Sequence, residues 1–284
     1  MGQKDIVEKM LEDYNDVFAD IVNVLLFQGK RYVNENNLTE ANGRSQYKAD
    51  SGKLHEQERD VVKYWQDGNV NIAICGLENQ TAPEKYMPLR VFNYDAASYR
   101  QQLNKDQDGN VVPVITLVLY FGTEEWKYPS NLKGIIDIPD ILEPYVSDYS
   151  INVFKIAFLE DETVRSFKSD FRIIADYFVQ KRKNADYKGS RENFKHVDEF
   201  LKFMNVFTGD SRYDITFSDE EKERGICMCD VMEKAEAKGI EIGIKNGIHS
   251  SVSLLRKSGI NDECIEKMIM EEYHLTIEEV KEYV

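Results

Sequence analysis

Arg59-Asp60-Val61-Val62-Lys63-Tyr64-Trp65, then Gln66-Asp67-Gly68-Asn69, then Val70-Asn71-Ile72-Ala73-Ile74-Cys75-Gly76-Leu77-Glu78-Asn79-Gln80 is the stretch whose reading decides the fold. Two β-prone runs flank an Asp-Gly pair, which predicts a β-hairpin. Glu78 and Gln80 are two apart and share one face of their strand. A three-residue loop, Asp67-Gly68-Asn69, sets Asp60 opposite Gly76. Glu78 then stands about 7 Å away on the same face. A two-residue Asp67-Gly68 loop sets Asp60 opposite Cys75 and needs a bulge at Gly76 to restore the shared face.

Outward from the hairpin, the elements predict an α/β core. Asp5 to Phe27 carries Ile6, Met10, Leu11, Tyr14, Phe18, Ile21, Val22 and Leu25 at helical spacing, with Gly29 at its end. Asn34 to Gly52 is polar and without period, the pattern of a surface loop. Tyr86 to Leu103 reads as a helix with Leu89, Phe92, Tyr99 and Leu103 as its apolar positions. Val112 to Phe121 is nearly unbroken apolar, as in a strand buried on both faces, and Ile151 to Phe158 is a further strand. Helix, hairpin, helix, strand and strand imply a mixed sheet flanked by helices.

Beyond Glu160 the chain is predicted to be helical. Val164, Phe167, Phe171, Ile174, Tyr177 and Phe178 form one stripe, and Phe194, Val197, Leu201 and Met204 open another. A tail begins near Arg224, where Gly239, Gly243 and Gly247 recur every four residues beside Ile240, Ile244 and Ile248. Thr276-Ile277-Glu278-Glu279 matches a capping box. Three regions follow: 1–160 a sheet-bearing core, 161–223 a helical extension packed on it, and 224–284 a glycine-periodic helical tail with a terminal helical unit.

Composition narrows the partners. A net charge of −15 over 284 residues argues against indiscriminate coating of nucleic acid. Between Arg165 and Lys195, however, nine basic residues face four acidic ones, and Lys181-Arg182-Lys183 is the densest cluster. Ile260 to Val284 holds eight acidic and two basic residues, which disfavours a DNA-reading unit at that end. Four cysteines are too few for a disulfide framework and predict reduced, mostly buried thiols in a cytoplasm. His55, His196, His249 and His274 have no ligand spacing. No apolar run reaches the roughly 20 residues that span a bilayer, and the N-terminus has no secretory signal core.

Two carboxylates on one sheet face are what a hard divalent cation takes, and such a cation activates water against a phosphodiester. The same residues also suit the solvated face of an edge strand. Asp60, the hairpin and Glu78-Asn79-Gln80 resemble the D…(E)x(K) motif of PD-(D/E)XK nucleases, with Gln in the Lys position. The chain is similar, more closely, to the recombination-promoting nuclease and transposase family, Rpn. Arg90-Val91-Phe92-Asn93-Tyr94 and the glycine-periodic tail carry this resemblance beside the triplet. It implies a PD-(D/E)XK nuclease-like fold and a DNA endonuclease dependent on Mg2+ or Mn2+. By the same resemblance Asp60 and Glu78 hold the metal, and Gln80 orients the attacking water. An acidic group from the N-terminal helix is implied as well, for which Asp20 is chosen over Asp16. Lys181, Arg182 and Lys183 are the expected DNA contacts. The tail is expected to build a homo-oligomer, a dimer, in a cytoplasmic protein without membrane contact.

Overall fold

The computed structural model describes residues 11–41, 44–48, 54–58, 60–68, 70–105, 111–183 and 191–284. Ile6 and Met10 of the predicted first helix, Asn69 of the predicted turn and Lys188 of the basic segment lie outside these residues. Helix α1 (Asn15–Leu25) is shorter than its apolar period predicts. Leu11 and Glu12 are helical, but Tyr14 is extended at φ −66°, ψ 128°. The break has clear causes. The Tyr14 ring stacks on His196 at 3.6 Å, and Asn15 Nδ2 donates to the Leu38 carbonyl at 3.0 Å.

The predicted polar loop from Asn34 instead contains strand β1 (Leu38–Glu40) and strand β2 (Arg44–Lys48), which pairs antiparallel with β3 (Leu54–Glu58). Strand β4 (Val61–Asp67) lies between β1 and β5 (Val70–Gln80), antiparallel to both. Strand β6 (Val114–Tyr120) runs parallel to β5, and β7 (Asn152–Lys155) runs parallel to β6. The sheet order is therefore β1-β4-β5-β6-β7, a mixed sheet. The apolar run in β6 meets its expectation, because Leu117 to Tyr120 are wholly buried between two parallel neighbours. Strand β7 is shorter than predicted, closing into a 3-10 turn at Ile156–Phe158.

Helix α2 (Met87–Lys105) crosses from β5 to β6, as a parallel pair requires. Its buried face is not the one expected. Leu89, Phe92, Tyr99 and Leu103 are exposed, while Met87, Val91, Tyr94 and Asp95 are buried. Met87 and Val91 pack with Val118 of β6. Polar residues occupy the inner face because that face covers Glu78, which lies beside Val118 in register.

The predicted stripe after Glu160 is two helices, α3 (Asp161–Ser166) and α4 (Phe171–Arg182). Phe167 between them is extended, at ψ 144°. Helix α5 (Val197–Thr208) ends on Gly209, whose φ of +65° suits glycine. Phe121, just past β6, touches Phe171, Phe178, Phe203 and Phe207 at centroid distances of 6.2, 5.1, 5.7 and 4.7 Å. One apolar core thus runs from α1 through the sheet to α5, so the region after Glu160 packs on the first.

The tail opens with α6 (Asp219–Arg224), capped by Ser218, and the 30-residue α7 (Met228–Lys257). Met228 and Val231 belong to the main core, whereas Ile248 and Val252 join Ile265, Ile269 and Val280 in a second one. That second core gathers α8 (Asp262–Tyr273) and α9 (Ile277–Val280), the latter opened by the expected Thr276–Glu279 capping box. All four cysteines are thiols, but only Cys75 is buried; Cys264 is exposed and the other two are half-buried. Among the described residues, no helix is long and apolar enough to cross a membrane.

The phenylalanine cluster ties the sheet to both helices behind it. Phe121→Ala is expected to cost about 3–5 kcal/mol, read as a lower urea midpoint at unchanged slope.

Candidate functional site

The hairpin register answers the question that its sequence poses, but by a third route. Val61 pairs with Leu77, Val62 with Gly76 and Trp65 with Ala73. The register then shifts between Trp65 and Gln66, and Asp67 pairs with Val70 around Gly68 at φ +57°. The turn is thus shorter than the three-residue alternative, and the bulge lies near Ile72, not at Gly76. A bulge turns a two-residue-turn hairpin through one position, so side chains beyond it change face. Continued by one residue, the register sets Asp60 beside Glu78. An uninterrupted ladder would make them cross-strand neighbours, although Asp60 itself lies just before β4.

Asp60 follows through on this placement. Its Oδ2 accepts from the Asn79 amide at 2.7 Å, taking a ladder position beyond the end of β4. Glu78 is buried, and its Oε1 is ion-paired to the Arg90 guanidinium from α2. Gln80 Nε2 donates to the same oxygen at 3.4 Å, and Asp60 reaches the same strand end through the Asn79 amide. Arg90 also donates to Glu84 Oε2 at 2.8 Å and to Tyr94 Oη at 3.2 Å. Burial alone would lower the Arg90 pKa, but the Glu78, Tyr94 and Glu84 oxygens around it raise it above the ordinary value. Burial and the Glu78 carboxylate push the Tyr94 phenol up, Arg90 partly offsets them, and Asp60 adds to the rise. The Arg90 guanidinium and the Tyr94 phenol thus stand beside Glu78 and Asp60.

The acid that the first helix sends to this region is Glu12, not Asp20. Glu12 is fully buried, and its Oε2 accepts from Asn79 Nδ2 at 2.7 Å. Asn79 thus links Asp60 through its amide and Glu12 through its side chain. Glu12 was hidden in sequence because it adjoins a helix break that its apolar period does not announce. Asp20 is spent elsewhere. Its Oδ2 accepts from the amides of Lys168 and Ser169, each at 2.7 Å, and from Ser169 Oγ at 2.8 Å, while Oδ1 pairs with Arg31. This carboxylate holds the α3–α4 break, and these contacts lie away from Asp60 and Glu78. Asp16 is likewise occupied, by Lys195 at 2.7 Å and His196 at 3.1 Å.

Among the described residues, no three His, Cys, Asp or Glu side chains meet in a metal-holding group. The donor set nevertheless fits a small divalent cation. Two neighbouring carboxylates supply hard oxygens, and Mg2+ commonly keeps several waters beside one or two of them. Arg90 supplies a counter-charge to this buried carboxylate.

The basic cluster at the end of α4 divides by role. Arg182 Nε donates to the Ala157 carbonyl at 2.7 Å and the guanidinium lies over Phe158, so this residue anchors α4 to the turn after β7. Lys183 pairs with Asp161 at 3.0 Å, and Lys181 lies over Tyr177. Lys181 and Lys183 are exposed, and Arg182 is half-buried. Lys183 also lines a cleft of ≈ 300 Å³ with Arg165 and Arg172, two cations distant in sequence. In register, Gln80 adjoins Tyr120 and Tyr120 adjoins Lys155, so the cluster lies off the same end of the sheet as Gln80.

Residues 61–203 match the family described as "Putative transposase, YhgA-like". The chain belongs to this family, within the PD-(D/E)XK nuclease superfamily and its Rpn-like group. The match spans Glu78, Gln80, Arg90 and Lys181 to Lys183 and begins one residue after Asp60. The mixed sheet flanked by helices agrees with the YhgA-like assignment. Neither a curated protein nor a solved structure matches the chain.

Asp20→Ala leaves the Lys168 and Ser169 amides without this acceptor. The variant is expected to lose about 2–4 kcal/mol of stability in urea while its Mn2+ affinity stays unchanged.

Proposed function

We propose that this YhgA-like protein is a DNA endonuclease dependent on Mg2+ or Mn2+. The observation that carries the proposal is that Asp60, accepting from the Asn79 amide, lies at the end of the β4–β5 ladder where Gln80 donates to Glu78. Asp60 and Glu78 would hold the cation. A bound divalent ion supplies Lewis acidity and lowers the pKa of water near a phosphodiester. The chain's own residues do the rest. Asn79 orients Asp60 through its amide, and Arg90 is a counter-charge to buried Glu78. Gln80 offers amide hydrogen bonds that position water, without the charge of a lysine. Arg90 supplies the positive charge that position 80 lacks. Lys181, Lys183 and the Arg165–Arg172 pair offer phosphate contacts at the same end of the sheet, with Arg182 holding their helix in place.

Supercoiled plasmid with Mg2+ or Mn2+ tests the reading directly. Glu78→Ala is expected to lower the nicking rate by roughly a hundredfold or more. Equal rates in wild type and variant would end the proposal.

Self-association through the tail is the second part of the reading. Ile240, Ile242 and Ile244 are exposed on α7, and a methyl group added at Gly239 or Gly243 would meet nothing within 4 Å. An isolated helix gains about 1 kcal/mol from each Gly→Ala change. If a second copy packs against these glycines, the gain is replaced by a clash. Gly239→Ala/Gly243→Ala is expected to shift the chain from dimer to monomer in light scattering. An unchanged mass with a higher melting temperature would remove the tail from assembly.

A further inference from the structure

Arg90 stands between two carboxylates of different exposure. Its Nη2 pairs with Glu78, whose side chain is 2% exposed, and its Nη1 pairs with Glu84, whose side chain is 35% exposed. The Arg90 side chain is 36% exposed, and its guanidinium lies over the Tyr94 ring. It therefore bridges an inner acid to an outer one, at the mouth of the face that carries Asp60.

A buried carboxylate needs a counter-charge. Glu78 Oε1 already has one, and a divalent cation arriving at that oxygen would meet the guanidinium head-on. Two cations on one carboxylate oxygen repel, so one must yield. The arginine has a place to go. Its other nitrogen is already on Glu84, and its long side chain moves by rotation about single bonds.

We propose that Arg90 is the resident counter-cation of Glu78, exchanged for a divalent metal when one binds, and that Glu84 receives the displaced guanidinium. Metal entry is thereby governed by one side-chain shift, and Glu84 acts as a positioning residue that touches neither metal nor DNA. The inference rests on the proposed function in one respect, that Asp60 and Glu78 hold the cation. It makes Arg90 a competitor of the metal and Glu84 an ally that acts only through Arg90.

The test is Mn2+ titration calorimetry on the full chain, for wild type, Glu78→Ala, Arg90→Gln, Glu84→Gln and the double variant Arg90→Gln/Glu84→Gln. Arg90→Gln is expected to tighten Mn2+ binding about tenfold, and Glu84→Gln to weaken it several-fold. In the Arg90→Gln background, Glu84→Gln is expected to have no effect. Plain loss of charge would act in both backgrounds alike, and that additive result would overturn the inference. Glu84 is half-exposed, so Glu84→Gln carries the test if Arg90→Gln does not fold; unchanged affinity there would also overturn it. Binding that depends on Glu78 but ignores Arg90 sinks this inference and leaves the metal site standing. Binding by neither wild type nor Arg90→Gln removes the metal site, and this inference with it.

Discussion

Burying the Glu78 carboxylate is the constraint on which the rest of the site depends. A charge withdrawn from water must find a partner or lose its ionisation. Among the described residues of the neighbouring strands, Val62 and Val118 share that face. The partner comes from α2, and this explains the helix. Its inner face carries Arg90, Tyr94 and Asp95 among Met87 and Val91, and its apolar surplus is turned outward. Asp95 is settled in the same way, accepting from Thr116 at 2.7 Å and from Tyr149. Helix α2 is therefore held by polar contacts as well as by packing.

Polar groups also decide where helices stop. Asp20 receives the amides of Lys168 and Ser169 at the α3–α4 break, and Asp170 receives those of Lys195 and His196 ahead of α5. Each buried carboxylate satisfies donors that a helix terminus leaves without intrahelical partners. Two acidic residues with the composition of metal ligands thus serve as joints. Glu78 differs in one respect: Arg90 and Gln80 reach it by side chains, whereas Asp20 holds two backbone amides besides Arg31.

The tail follows other rules. Helix α7, about 45 Å long at 1.5 Å per residue, is anchored by Met228 and Val231 at one end and by Ile248 and Val252 at the other. Between these anchors its glycines and isoleucines make little use of the chain's own packing. Gly247 is the exception, with Tyr273 Oη 3.2 Å from the position its Cβ would take. The second core is small, and the capping box at Thr276 and the Asn261 cap on α8 support helices that few apolar contacts hold.

The order of helix, hairpin, helix and buried strand was legible because period and turn chemistry are local. So were the shared face of Glu78 and Gln80, and the capping box at Thr276. The register of Asp60 was not, since it turns on a bulge at Ile72 that no local residue preference announces. Nor was the face of α2, where apolar period pointed to Leu89 and Phe92 but the buried acid on β5 required Arg90. The choice between Glu12 and Asp20 lay equally out of reach, because the break at Tyr14 that separates them is set by tertiary contacts. Residue order by itself determined which elements form and which strand carries the acids. Tertiary structure alone decided which charges meet, because a buried charge is matched through space by whatever the packing brings beside it.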